Sequence, residues 1–296
     1  MASGVIEESA GVRAARPSAS MLRRAIGKFM RHPGGMVGLA LFVALVLIAV
    51  FAPVFAPYDP LRVDPIVALM PPSADHWMGT DTLGRDVMSR VIYGTRISLR
   101  LGVVSVSIGL SLGVLVGVLA GYLGGRVDGI LMRFIDMLLA FPSLILALVA
   151  VFALGPGLTN AMIAVGISSI PAFARITRGE VLSAKENLYV QSAQALGGSE
   201  VTIMIRHILP NIIAPNIVMG ALMTGTAILA GAALSFLGLG AQSPTPEWGL
   251  MLSQGRGFMS LAWWLTFFPG LGIMLTVMAM NLLGDGLRDV LDPRVR

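Results

Sequence analysis

Between Asp136 and Arg175 the chain runs for 38 residues without an Asp, Glu, Lys or Arg. Soluble domains carry about 25% charged residues and do not leave such a gap. In lipid, every backbone polar group must be satisfied internally, which restricts spanning segments to helices or closed barrels. A bilayer core of about 30 Å needs about 20 apolar residues per helix. The stretch therefore predicts two spans separated at Gly155-Pro156-Gly157: a third span over 128–154 and a fourth over 158–175. Comparable apolar runs predict a first span at 38–55, a second at 101–122, a fifth at 212–238 and a sixth at 264–283. Pro142, Pro171, Pro215 and Pro269 lie in or beside these spans and predict kinks.

Composition agrees with an all-α integral membrane protein of about six transmembrane helices: 55% hydrophobic, 12% charged, mean hydropathy +0.81. The absence of cysteine excludes disulfides and thiolate metal sites. The net charge of +5 is no sign of nucleic acid, because Lys and Arg gather at the ends of apolar runs. Six spans put both termini on one side; that side holds fifteen of the 21 Lys and Arg residues, the other six. The positive-inside rule then places the termini in the cytoplasm. The expected organisation is a basic, partly disordered cytoplasmic tail (1–32), a retained first helix (33–57) too long for a signal h-region, a periplasmic segment (58–96), a five-helix core (97–287) and a cytoplasmic end (288–296).

Within the core, residues 183–211 are short, polar-faced and rich in small side chains. Ser183 and Glu186 have the spacing of a capping box. Gly197 and Gly198 then break the segment, and Ser199 is placed to cap a second short helix with Val201, Met204, Ile205 and Ile208 on one apolar face. Pro210 is expected to stop that helix. The pattern predicts helix, glycine hinge, amphipathic helix and proline stop, a shape suited to a lever gripped by another protein.

Elsewhere, Gly109, Gly113, Gly117, Gly121 and Gly125 recur every fourth residue, with Ser105 one step before, and predict a flat stripe for close helix contact within the chain or with another. Asp128, Arg133 and Asp136 enter the third span together and read as a structural ion cluster, paired with one another or reaching to the interface. In the external segment, Asp81 with Arg85 and Asp86 with Arg90 are acid-first i,i+4 pairs on a solvated interfacial helix. Trp263 and Trp264 fit an interfacial aromatic belt.

The chain has no Gly-Lys-Ser/Thr and hence no P-loop for ATP, and its three histidines form no local metal pair. No catalytic residue, resident metal or cofactor is expected. The fully apolar span centres argue against an ion-coupled secondary transporter, which needs midplane carboxylates.

Four segments also carry a resemblance. Bacterial importer permeases of the ATP-binding-cassette class have a cytoplasmic loop reading E-A-A, three residues, Gly, nine residues, Ile, one residue, Leu-Pro. Here Gln191, Ser192 and Ala193 stand at the E-A-A positions, Gly197 at the Gly, and Leu209 and Pro210 at the Leu-Pro, with Ala195, Leu196 and Gly198 between; Gln191 departs from the acidic residue and His207 from Ile. With HWMGTDTLGRDVMSRVIYGTRISL, GYLGGRVDGILMRFIDMLLAFP and SFLGLGAQSPTPEWGLML, the sequence is similar to the dipeptide, oligopeptide and nickel importer permeases, most like the C-type subunits of dipeptide systems, over about 22–294. The resemblance implies a type I importer fold in the bacterial inner membrane, half of a translocation pathway. It implies a homologous second permease, two ATPase subunits holding ATP and Mg, and a periplasmic or lipid-anchored binding protein that delivers peptide, nickel chelates or glutathione.

Overall fold

The computed structural model describes residues 27–291; the expectations for the basic tail over 1–26 and for the last five residues lie outside it. Among the described residues the fold is helical, with one isolated bridge between Thr80 and Asp86. Among these residues five helices are long and apolar enough to cross a membrane, and a bent pair raises the number to six.

Helix α1 (Pro33–Val50) starts where the sequence supplies both a cap and a proline: His32 Nδ1 accepts the Gly35 N–H at 2.8 Å, and Pro33 holds the first turn. A short turn, α2 (Ala52–Phe55), follows. Helix α3 (Val87–Leu123) has 37 residues; at 1.5 Å per residue it is about 55 Å long, so it projects well beyond a bilayer core. The predicted second span is thus only its latter part, and the end of the 58–96 segment is its beginning. The predicted third span is not one helix. It divides into α4 (Gly125–Leu139) and α5 (Ser143–Leu154), bent by 95° around Pro142. Helix α6 (Leu158–Lys185) extends past the predicted Arg175, and α11 (Trp264–Leu291) past 283. Between them lie α7 (Leu188–Ala195), α8 (Glu200–Ile203), α9 (Leu209–Phe236) and α10 (Trp248–Gly255).

The centre of the bundle is the α3–α6 pair. Four rungs of the glycine stripe face α6 of the same chain: a methyl on Gly109 would stand 2.8 Å from Ser169 Cβ, one on Gly117 2.6 Å from the Ala174 carbonyl oxygen, and one on Gly121 2.9 Å from Val181 Cβ, with Phe173 and Ile170 facing Gly113. Ser105 continues the stripe by donating to the Met162 carbonyl at 2.9 Å. Gly125 does not belong to it: the helix ends at Leu123, and Gly125 opens α4 with empty space around it. Helix α9 packs across this pair through Ala227 and Leu234, and buried Thr177 and Asn216 share a 2.8 Å hydrogen bond between α6 and α9. Helix α1 closes on α11, where Gly38 leaves no room for a side chain against Leu282 and Leu283.

At one end the bundle carries a folded cap built by residues 58–86 and 240–264. Asp86 caps α3 by accepting the Ser89 N–H at 2.7 Å, and its other oxygen lies 2.9 Å from His76 Nδ1. Asp81 does pair with Arg85, at 2.6 Å, but Arg90 also turns to Asp81, at 3.6 Å, and not to Asp86. These groups are buried rather than on a solvated helix: Arg90 is 1% exposed and donates to the carbonyls of Pro60 and Pro244. Trp264 is buried too, its indole N–H donating to Thr80 at 3.1 Å, while Trp263 stays half exposed. Glu247 caps α10 through the N–H groups of Gly249 and Leu250; its burial pushes the carboxyl above its ordinary value, although those N–H groups pull the other way.

Candidate functional site

The far end of the bundle carries the loop between α6 and α9. The capping-box reading of Ser183 and Glu186 does not hold, because α6 runs through Ser183 and ends at Lys185. Lys185 fixes that end: its ammonium donates to the Tyr122 carbonyl at 2.8 Å and sits over the Tyr122 ring. Helix α7 begins at once, and Gln191 Nε2 donates to the Glu186 carbonyl at 3.2 Å. Gln191, Ser192 and Ala195 are exposed and Ala193 is half-buried. Helix α7 ends in a Schellman motif: Gly198 N–H donates to Ala193 and Gly197 N–H to Gln194, at 3.0 and 2.9 Å. This motif needs a left-handed residue just past the helix, and Gly197 supplies it with φ +79°. Ser199 then caps α8, accepting the Thr202 N–H at 3.3 Å. Two residues, Gly197 and Gly198, thus join two independently capped helices.

The second helix differs from its predicted form. Residues Met204–Ile208 form a π-helical turn, so the chain advances by five residues where an α-helix advances by four. Ile203, Ile208 and Ile212 are therefore the buried residues, packed with Val190, Tyr122 and Val181, whereas Val201 and Ile205 stay outside. Pro210 does not stop the helix. It stands in the first turn of α9, directly after the π-helical turn, and the winding continues through it; Leu209 beside it is half-buried. The loop's outer surface exposes Leu196 at 89%, Leu188 at 80%, Ile205 at 61% and Val201 at 59%.

The predicted cluster of Asp128, Arg133 and Asp136 is resolved differently. Asp128 takes both Arg178 Nε and Nη2, at 2.5 and 2.6 Å, and Asp136 pairs with Arg175; Arg133 joins neither. Both carboxylates belong to α4 and both guanidinium groups to α6. Above these ties, Phe141, Ser143, Ser168, Pro171 and Thr226 border a cleft of about 230 Å³ between the bent span, α6 and α9.

Long apolar helices closed at one end by a folded cap and bearing a hinged loop at the other define a multi-pass, all-α membrane protein. A family model described as the binding-protein-dependent transport system inner membrane component matches residues 113–296, and one described as the N-terminal TM domain of oligopeptide transport permease C matches residues 20–72. The chain belongs to this family: it is an ABC-transporter permease of the inner membrane. It is 45% identical over 274 residues to the dipeptide transport system permease protein DppC of Alkalihalophilus pseudofirmus, covering 93% of this chain and 90% of that one. It is 49% identical over 270 residues to the glutathione transport system permease protein GsiD of Shigella flexneri serotype 5b, and 47% identical over 270 residues to the GsiD of Escherichia coli O157:H7, covering 91% of this chain and 89% of the relative in both cases.

Proposed function

We propose that this chain forms half of the translocation pathway of an ATP-driven importer for di- and oligopeptides, and that its 191–210 loop is the handle by which cytoplasmic ATPases move it. The chain itself is non-catalytic; ATP and Mg belong to two ATPase subunits, and a homologous permease completes the pathway. Both termini and the loop face the cytoplasm, as the distribution of Lys and Arg favours. The cap built by residues 58–86 and 240–264 then meets a periplasmic or lipid-anchored binding protein. One observation carries the reading: Leu188, Leu196, Val201 and Ile205 lie exposed around a glycine joint at the end of the bundle. Apolar side chains grouped in this way mark a surface that a partner covers. Because the joint has no ATP site of its own, work enters through that contact and shifts the populations of two bundle arrangements. The names of the relatives favour a peptide cargo, and glutathione is itself a tripeptide; the second reading is the same machine carrying glutathione.

Gly197→Pro tests the handle. Proline cannot adopt φ +79° and lacks the N–H given to Gln194. The variant is expected to insert and assemble but to lose substrate-stimulated ATP hydrolysis by the complex; normal stimulation would remove the reading. Uptake competition between dipeptides and glutathione separates the two cargoes.

A further inference from the structure

We propose that the ion pairs between α4 and α6 form a transmission strut: Arg178–Asp128, backed by Arg175–Asp136, carries loop motion into the bent span and sets the width of the cleft beside Phe141. The inference rests on the proposed coupling role of the loop. Helix α6 passes into α7 with only Glu186 and Asn187 between them, and the glycine face and the Lys185–Tyr122 contact bind α6 to α3. A push on α7 therefore moves the lower part of α6 and α3 together. Helix α4 is held differently. Of its fifteen residues only Ile135 is buried, so apolar packing holds it weakly and its attachment to α6 is chiefly polar. The Arg178 fork on Asp128 fixes direction as well as distance, which a single lysine contact would not.

Helix α5, by contrast, is anchored by packing higher on the bundle, with Ala147 and Val151 fully buried against the cluster that holds Ala161, Ala164 and Val165. Between the two anchorages lies the 95° bend at Pro142. Pro171 removes a backbone donor from α6 beside it, and both prolines' neighbours border the cleft. Lower ties and upper packing thus pull on opposite sides of one joint. Asp128 and Arg178 are positioning residues: they act on the cleft through the joint.

The chain has no cysteine, so labels can be placed singly. In the reconstituted complex, pulsed electron resonance distances are measured for Phe141→Cys with Thr226→Cys, and for Leu196→Cys with Thr226→Cys, with and without ATP. Both pairs are expected to shift in the parent. Asp128→Ala should keep the Leu196 shift, lose the Phe141 shift, and lower solute moved per ATP about fivefold, the scale of a partly screened ion pair. Asp128→Asn serves in the same way if the alanine variant does not assemble. Exchanging the charges, Asp128→Arg with Arg178→Asp, should restore both. A Phe141 shift that persists in Asp128→Ala, or an assembled exchange variant as defective as Asp128→Ala, overturns the strut. A parent in which the Leu196 pair does not respond to ATP overturns the coupling reading, and the strut with it.

Discussion

Replacing Gly117 with alanine should separate α3 from α6. The new methyl would stand 2.6 Å from the Ala174 carbonyl oxygen and from Thr177 Cβ, and 3.0 Å from the Arg178 backbone nitrogen. Unstrained carbon contacts lie at about 3.5–4.0 Å, so the helices must part by roughly 1 Å at this rung. Two of the three opposing atoms are backbone, and no rotamer change relieves them. Overpacking of this kind costs about 1–3 kcal/mol. Alanine also regains about 1 kcal/mol of helix propensity over glycine, which would mask part of the loss. Gly129→Ala in α4 isolates that gain, because nothing lies within 4 Å of a methyl there. The difference between the two variants is then the overpacking cost itself, about 1–3 kcal/mol. Unfolding by SDS titration in mixed micelles should place Gly117→Ala below the parent or level with it, and Gly129→Ala at or above it. If Gly117→Ala proves as stable as Gly129→Ala, the two helices do not touch along this face.

The carboxyl of Glu247, raised by burial, makes stability depend on pH. A raised acid contributes stability below its unfolded value, near 4.5, that is lost as pH rises through the higher folded value. Glu247→Gln should therefore flatten the decline in unfolding midpoint from pH 4.5 upward, and parallel pH profiles for the two proteins would refute this. The Thr177–Asn216 hydrogen bond between α6 and α9 should show a coupling of about 0.6 kcal/mol, up to about 1.7, in a double-mutant cycle with Thr177→Val and Asn216→Ala. Zero coupling would mean that each group finds an equally good partner within its own helix.

Much of the bundle was readable in the sequence because lipid enforces it. The uncharged stretch before Arg175 has the length of apolar chain that spanning helices need, and Gly109 to Gly121 repeat at a spacing that keeps one face flat. The glycines could not name their partner; the facing residues, Ser169 to Val181, lie some sixty positions away. Separation in sequence also hid the partners of Asp128 and Asp136, Arg178 and Arg175, which lie 50 and 39 positions away, whereas local spacing grouped both carboxylates with Arg133. Pro142 marked a kink but not its size, since 95° depends on what holds α4 and α5 apart. In the loop, Gly197, Gly198 and Ser199 were legible as chemistry that caps and hinges require. The π-helical turn was not, because Val201, Met204, Ile205 and Ile208 satisfy the ordinary helical period and only the burial of Ile203 and Ile208 breaks it. Arg90 read as a surface partner because sequence cannot show two chain segments, at Pro60 and Pro244, closing over it.

That wide turn at Met204–Ile208 has a geometric corollary. Were the same residues wound as tightly as their neighbours, everything ahead of them would rotate by about 100° relative to α9. Val201 and Ile205 would swing toward the bundle, and Ile203 would be turned out of its seat beside Tyr122. What this end of the molecule offers to the outside world is thus decided by a single surplus residue in the winding of one short coil.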